Sequence, residues 1–413
     1  MFIKNISLKN FRNYGELNFS PSRYINVLQG RNAQGKTNLL EALYILSSSK
    51  SFRVRSEREL LKWDNNFAEI KAQIECGDGR LKDIAMRWLE ENGSLERRIF
   101  VNGSAVKKLG LFLGEVLLTL FVPGDLSLTQ GAPSLRRRYL DVLLCKISPI
   151  YYDCLSRYKN VLQQKNKLLH LKDLGSEYYK NLSVADKALL EALDVQLLEF
   201  GARIICFRAL LLEYIETLAA DFYGKLSGDS EDLLKLDYRS KALPADESDF
   251  FRRLRELSSV YAQGELLIKR DIDEELLRLA RESYLLNLKE RRSRIILRNT
   301  AGIGPHTDDF TVSIKSSRSL KYFGSQGQHR SVVLALRLAE AKVMAEINRE
   351  KSIILLDDCF SELDGGRVRL LVSYLLSLNC QVFITAAHSA AFADADKEKI
   401  RFFEVSSGRI SEV

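Results

Sequence analysis

The chain opens on an alternation of apolar and polar residues. Phe2, Ile6 and Leu8 begin it, and Ala68, Ile70, Ala72, Ile74 and Cys76 alternate with polar partners as a half-buried strand does. Gly77-Asp78-Gly79 makes a turn, Ile84, Met86 and Trp88 alternate again, and residues 98–106 carry Asn102-Gly103, a hairpin signal. Residues 116–122 read as a buried strand. From about 134 to 298 strand signals fade and leucines, charges and tyrosines recur at helical spacing. Ser134 is predicted to cap a helix over 135–144. Further helices are expected over roughly 186–226 and roughly 248–294, where Leu277, Ala280, Tyr284 and Leu288 share a face. From about 301 the β/α pattern returns, with a helix over 331–347 and an apolar strand over 352–356 that ends in Asp357-Asp358. A second apolar strand begins at Cys380 and ends in His388. The pattern predicts an α/β fold with mixed and antiparallel sheets in two halves, 1–126 and 301–413. A mostly α-helical lobe over 127–300 interrupts them.

One stretch adds chemistry to this outline. Gly30-Arg31-Asn32-Ala33-Gln34-Gly35-Lys36-Thr37 fits G-x-x-x-x-G-K-[ST], the phosphate-binding loop. Its glycines let successive backbone N–H groups converge on one anion. Lys36 supplies a cation for β- and γ-phosphates, and Thr37 a hydroxyl for Mg²⁺. Residues 25–28 read as a strand before the loop and residues 37–44, from Thr37 and Asn38 onward, as a helix after it. The positive end of that helix then points at the phosphates.

Other residues fit around a nucleotide. Asp357 ends an apolar strand, where a Mg²⁺-associated carboxylate belongs. Successive strand residues face opposite ways, so Asp357 and Asp358 split the work unless the backbone bends. Asp357 is assigned to the metal and Asp358 to the attacking water. Ser325-Gln326-Gly327-Gln328 opens a helix, and its hydroxyl and N–H groups suit a γ-phosphate. His388 is a candidate γ-phosphate sensor.

Composition changes little. The 413 residues are 46% hydrophobic and 28% charged, ordinary for a soluble globular protein. A net charge of +8 pulls mildly toward polyanions. The six cysteines form no C-x-x-C pair and there are only four histidines, which argues against structural zinc. No apolar run is long enough to span a bilayer, and a cytoplasmic protein with reduced thiols is expected.

The order of phosphate loop, Ser325–Gln328, Leu355-Leu356-Asp357-Asp358-Cys359-Phe360-Ser361-Glu362-Leu363-Asp364 and terminal His388 resembles the ABC-type ATPases. More closely, stretches from end to end resemble the RecF family: residues 10–14, 32–38, 123–126, 136–141, Gly304-Pro305-His306 with Asp308-Asp309, and 325–328. The resemblance implies an ABC-type ATPase head binding ATP and Mg²⁺, with ATP sandwiched in a homodimer. Ser325–Gln328 would be the signature completing the second subunit's site, and 361–364 the D-loop across the dimer. Arg12 and Asn13 would lie near the nucleotide. The resemblance further implies ATP-dependent binding to double-stranded DNA and single-strand/double-strand junctions, with RecR and RecO, to assist RecA loading. Hydrolysis would be slow, Asp358 standing where most ABC ATPases carry Glu. Thr307 stands where the family usually has Arg. Basic clusters at 50–58, 136–138 and 291–298 are candidate phosphate contacts. The same motif order serves transporter motors and SMC or Rad50-type organisers. The former are typically shorter, the latter joined to very long coiled coils. A nuclease would need a further carboxylate cluster, and no membrane partner is expected.

Overall fold

Two sheets carry the first half of the chain. In the computed structural model the strands are β1 (Phe2–Phe11), β2 (Tyr14–Phe19), β3 (Ile25–Gln29), β4 (Phe67–Glu75), β5 (Leu81–Glu91), β6 (Ser94–Val101), β7 (Ser104–Ala105) and β8 (Leu118–Phe121). Later come β9 (Leu234–Arg239), β10 (Asp309–Ile314), β11 (Arg318–Ser319), β12 (Ile353–Leu356), β13 (Val382–Thr385), β14 (Ile400–Ser406) and β15 (Arg409–Glu412). The structure describes residues 1–170, 183–227, 233–243, 248–261, 272–297, 302–314, 318–360, 365–386 and 398–413.

An antiparallel sheet runs β2-β1-β4-β5-β6-β7. Its β6–β7 turn has Asn102 at φ 49° and Gly103 at φ 78°, the left-handed pair that a two-residue hairpin requires. The second sheet runs β15-β14-β3-β13-β12-β8, parallel from β14 through β8. Its strands β8, β12 and β13 are buried at every residue, as in a parallel sheet covered on both faces. Leu8, Ile70 and Trp88 from the first sheet, Leu355 and Phe383 from the second, and Leu39 and Leu43 of helix Lys36–Ser48 belong to one apolar core. Phosphate-loop strand and carboxylate strand are not neighbours: β13 lies between them.

The chain divides into two compact units, residues 1–127 with 218–233 and 324–413, and residues 128–217 with 234–323. Residues 301–323, expected with the C-terminal half, group with the second unit. That unit holds helices Pro133–Ile147 and Pro149–His170, most of Val184–Ser227, and a small sheet β11-β10-β9. Strand β9 falls inside the segment expected to be helical. Its Leu234, Leu236 and Tyr238 alternate buried with exposed residues, a period-two signal that the surrounding helical spacing masks. The helix expected over 135–144 starts at Pro133 with Ala132 as its cap, because proline at the first helical position already has the right φ and no N–H to satisfy. Ser134 is thus inside the helix. The helix expected over 248–294 is two, Asp249–Tyr261 and Glu274–Leu297. No helix among the described residues is long and apolar enough to cross a membrane.

Candidate functional site

The phosphate loop leaves β3 with Gly30 at φ 137° and enters helix Lys36–Ser48 through Gly35 at φ 124°. At Gly30 a Cβ would stand 2.4 Å from the Val405 carbonyl oxygen on β14, so glycine is demanded by space as well as by dihedral. Three groups hold the loop from behind. Tyr14 donates its hydroxyl to the Gly35 carbonyl at 3.0 Å, and Asn13 Nδ2 donates to the Gln34 carbonyl at 2.9 Å. The β14–β15 turn donates Ser407 N–H to Gln34 Oε1 at 2.7 Å and Gly408 N–H to the Gln34 carbonyl at 3.2 Å. Arg31, Asn32 and Ala33 at the tip remain exposed. Asn38 Nδ2 bonds Asn13 Oδ1 at 2.8 Å, tying the helix to the same brace.

Lys36 folds back over the loop. Its ammonium donates to the Gly30 carbonyl and, at 3.0 Å, to the Arg31 carbonyl. Burial pulls its pKa below the usual lysine value, while Asp357, Asp358 and Glu404 pull it back up. A phosphate in the loop would offer the ammonium a better partner than two neutral carbonyls.

The carboxylates complete the site. Thr37 Oγ1 donates to Asp357 Oδ1 at 3.0 Å, and Thr385 Oγ1, at the end of β13, donates to the same oxygen at 2.8 Å. Burial raises the Asp357 carboxyl above the ordinary aspartate value and the two hydroxyls oppose that rise. Asp358 departs from the pleat. Its φ is 48°, a left-handed bend just past β12, and its N–H donates to Thr385 Oγ1 at 2.9 Å. Asp357 is buried and Asp358 is exposed. Thr37 and Asp357 are hard oxygen donors converging beside a phosphate loop. That set suits Mg²⁺, which takes one or two protein oxygens and otherwise water and phosphate. Sequence reasoning missed Thr385, Tyr14 and the Ser407-Gly408 turn. The signal for Thr385 was its place at the end of an apolar strand, like Asp357; Tyr14 lay in the RecF-like stretch 10–14, and Ser407-Gly408 is a turn dipeptide.

Comparisons with known proteins give the family and the fold. The family model described as RecF/RecN/SMC N terminal domain matches residues 2–411. The DNA replication and repair protein RecF of Streptococcus gordonii is 35% identical over 99% of this chain and 100% of its own length. The chain belongs to the RecF family. RecF of Streptococcus agalactiae serotype Ia is 36% identical over 100% of this chain and 98% of its own. A solved structure of the recombination mediator protein RecF with ATP, in the RecFOR pathway, covers 100% of this chain and 99% of that one. Its identity is 28% and its TM-score 0.80. The Smc head domain of Pyrococcus furiosus, 15% identical over 100% of this chain and 96% of that one, has TM-score 0.54 and shares the fold. The fold is that of the ABC-type ATPase heads of the RecF and SMC proteins.

The other RecF-like stretches have these surroundings. Arg12, at φ 53°, places its guanidinium bidentate on Glu41, at 2.8 and 2.7 Å, and on the Glu59 carbonyl at 2.8 Å. Glu41 is a fully buried carboxylate on the phosphate-loop helix, also met by Ser51 and, at 3.5 Å, by Arg53. Arg12 thus braces the helix from behind. Ser325 is the N-cap of helix Gln326–Asn348 in a capping box. Its Oγ accepts the Gln328 N–H at 3.2 Å, and Gln328 Oε1 accepts the Ser325 N–H at 2.9 Å. The helix therefore begins five residues before the expected 331. Ser325 and Gln326 are exposed, Gly327 and Gln328 partly so. Asp125 of the 123–126 stretch pairs with Arg337 on that helix at 2.7 Å.

In the second unit, Arg136 forms a bidentate pair with Asp309 at 2.6 and 2.9 Å, and Arg137 donates to the Asp308 carbonyl at 2.6 Å. This corrects the reading of 136–138 as phosphate contacts: Arg136 is buried, and only Arg138 is fully exposed. The 50–58 cluster is exposed but partly paired: Arg58 meets Glu90 at 2.8 Å, and Arg53 donates to Asn38 Oδ1 at 2.6 Å. Arg53 and Arg58 have side chains 42% and 47% exposed, and Lys50 and Arg55 are exposed too. Thr307 closes a turn onto the Gly304 carbonyl through its N–H at 2.8 Å and its hydroxyl at 2.9 Å. His388, the D-loop residues 361–364, Arg298 and the side chains of 291–297 lie outside the described residues.

Proposed function

We propose that this chain is an ATP-driven DNA clamp of recombinational repair and replication restart. ATP with Mg²⁺ binds at Gly30–Asn38, two copies close head to head on double-stranded or gapped DNA, and slow hydrolysis opens them. The observation that carries the reading is the hydrogen bond between Thr37 and Asp357 beside the phosphate loop. Mg²⁺ would be held by these two oxygens and the nucleotide, and would neutralise charge on the β- and γ-phosphates. Lys36 would leave its carbonyl partners for the phosphates. Asp358, exposed and next to the metal carboxylate, would accept the proton of the attacking water. The relatives' ATP-bound structures and their names as repair proteins support the reading.

Ser325, Gln326, Gly327 and Gln328 would meet the γ-phosphate of the other copy. Each ATP would then touch both copies, and its loss would weaken the dimer by differential affinity. Arg12 and Asn13 act on the nucleotide through the helix and loop they hold. His388 would sense the γ-phosphate. RecR, RecO and RecA-type proteins are the proposed partners, in the cytoplasm.

The test is molecular mass in solution, with and without ATP and Mg²⁺, for wild type, Lys36→Arg and Ser325→Arg. ATP should convert monomer to dimer in wild type alone. A mass that never responds to ATP, with or without DNA, would mean the signature does not act across copies.

A further inference from the structure

Thr385 holds two aspartates with one hydroxyl. It ends β13, the strand between the phosphate-loop strand and the carboxylate strand, and is 2% exposed. Its Oγ1 donates to Asp357 Oδ1 at 2.8 Å and accepts the Asp358 N–H at 2.9 Å.

The direction of these bonds is fixed. A backbone N–H only donates, and an ionised carboxylate only accepts. The single hydroxyl proton therefore goes to Asp357, and a lone pair faces Asp358. Thr37 reaches the same Asp357 oxygen at 3.0 Å, but Thr37 is shared with the proposed metal. Both bonds of Thr385 go to the aspartates.

Neither bond is needed to build the sheet. Strand β13 is paired along its length with β3 on one side and β12 on the other. Ala386 N–H binds the Leu28 carbonyl at 3.1 Å, and Asp357 N–H binds the Phe121 carbonyl at 2.9 Å, so backbone bonds already pin both strand ends. Valine has the same β-branched shape and suits a buried strand as well. What the hydroxyl adds lies just past β12. Asp358 stands at φ 48°, a left-handed conformation that a residue with a Cβ keeps only where its surroundings hold it. The bond to Thr385 is such a hold.

We propose that Thr385 is a positioning residue for ATP hydrolysis, its hydroxyl holding the Asp357 carboxylate and the Asp358 backbone in the orientation the reaction requires. It acts through the two aspartates. The inference rests on their assignment in the proposed function and adds the group that orients them.

Thr385→Val removes the hydroxyl and keeps the shape, and Thr385→Ser keeps the hydroxyl. Steady-state phosphate release by the full chain with Mg²⁺ should show the kcat of Thr385→Val down by about 10- to 100-fold, as loss of a hydrogen bond to a charged group implies, with KM for ATP little changed. Thr385→Ser should restore most of the loss. A second readout needs no turnover. In a Mg²⁺ titration of fluorescent non-hydrolysable ATP analogue binding, Thr385→Val should need about 10-fold more Mg²⁺ at the midpoint, as loss of a group that orients a metal ligand implies. Without Mg²⁺ it should bind the analogue like wild type. A wild-type kcat and Mg²⁺ midpoint in Thr385→Val would overturn the proposal and leave the ATPase reading standing. A loss of kcat that serine does not restore, or that only follows a lowered melting midpoint, would make Thr385 structural and overturn it too. If wild type neither binds the analogue nor releases phosphate, the ATPase reading falls and the proposal with it.

Discussion

Thr37 and Asp357, 320 residues apart, share a hydrogen bond of 3.0 Å. The bond joins the last residue of the phosphate loop to the strand β12 across the intervening β13, whose Thr385 binds the same oxygen. Asp357→Asn keeps the shape and removes the charge that a divalent cation needs. Mg²⁺-dependent ATP hydrolysis should fall by about 100-fold or more, since several kcal/mol of transition-state stabilisation go with the metal. The thermal midpoint without nucleotide should barely move. Steady-state phosphate release and a melting curve, with and without Mg²⁺, check both halves.

Gly30→Ala should abolish nucleotide binding and lower stability together. The strained dihedral alone costs roughly 1–3 kcal/mol, and the methyl would meet a backbone oxygen that cannot yield without moving β14. Gly224→Ala, where a Cβ meets nothing within 4 Å, is the matched control. Titration with a fluorescent ATP analogue and thermal unfolding of both variants are the measurements. Normal binding by Gly30→Ala would contradict the packing.

Arg12→Gln should destabilise the chain by roughly 3–5 kcal/mol, because the wholly buried Glu41 loses its bidentate partner. Replacing both, Arg12→Met with Glu41→Leu, should recover most of that loss. Urea unfolding of the single and double variants reads the coupling directly. A cost below about 1 kcal/mol for the single change would show that Arg53 alone suffices for Glu41.

Ser325 serves its own helix and, in the proposed dimer, a phosphate. Ser325→Asp separates the two. Aspartate caps as well as serine, whereas Ser325→Ala gives up about 1 kcal/mol. The aspartate variant should therefore melt like wild type and yet fail to dimerise with ATP, because its charge opposes the γ-phosphate. Dimerisation of Ser325→Asp at wild-type ATP concentrations would remove the signature from the interface.

Asp308 and His306 predict opposite pH dependences. Burial first, against the attraction of Arg208, pushes the Asp308 carboxyl up to about 6 from its ordinary 3.8. In that interval the folded chain holds more proton than the unfolded one. The contribution of Asp308 is full below pH 3.8 and lost as pH rises to 6. Burial first, with Lys165, Arg137 and Arg208, pulls His306 down to about 4 from 6.5. Its contribution is full above pH 6.5 and lost as pH falls to 4. The two slopes oppose between pH 4 and 6. Relative to wild type, Asp308→Asn should gain stability as pH rises through that window, by up to roughly 3 kcal/mol, and His306→Gln should lose it. Urea midpoints across the window measure both, and curves parallel to wild type would rule out these shifts.

What the sequence determined by itself is what local backbone chemistry demands. Gly30 and Gly35 are required by left-handed dihedrals, Lys36 and Thr37 follow at fixed spacing, and Ser325 with Gln328 forms a capping box within four residues. The apolar runs at 353–356 and 382–385 mark buried parallel strands because a strand covered on both faces has no polar face to alternate with. What only the tertiary structure decided is which distant groups meet. The order β3-β13-β12 brings Thr37 and Thr385 to Asp357, and the backbone turns left-handed at Asp358 just after it. Arg12 pairs with Glu41, and Arg136 with Asp309, because burying one charge requires an opposite one within reach, and one-dimensional spacing does not say which partner the fold supplies. Strand β9 formed within a helical stretch because β10 was there to pair with it.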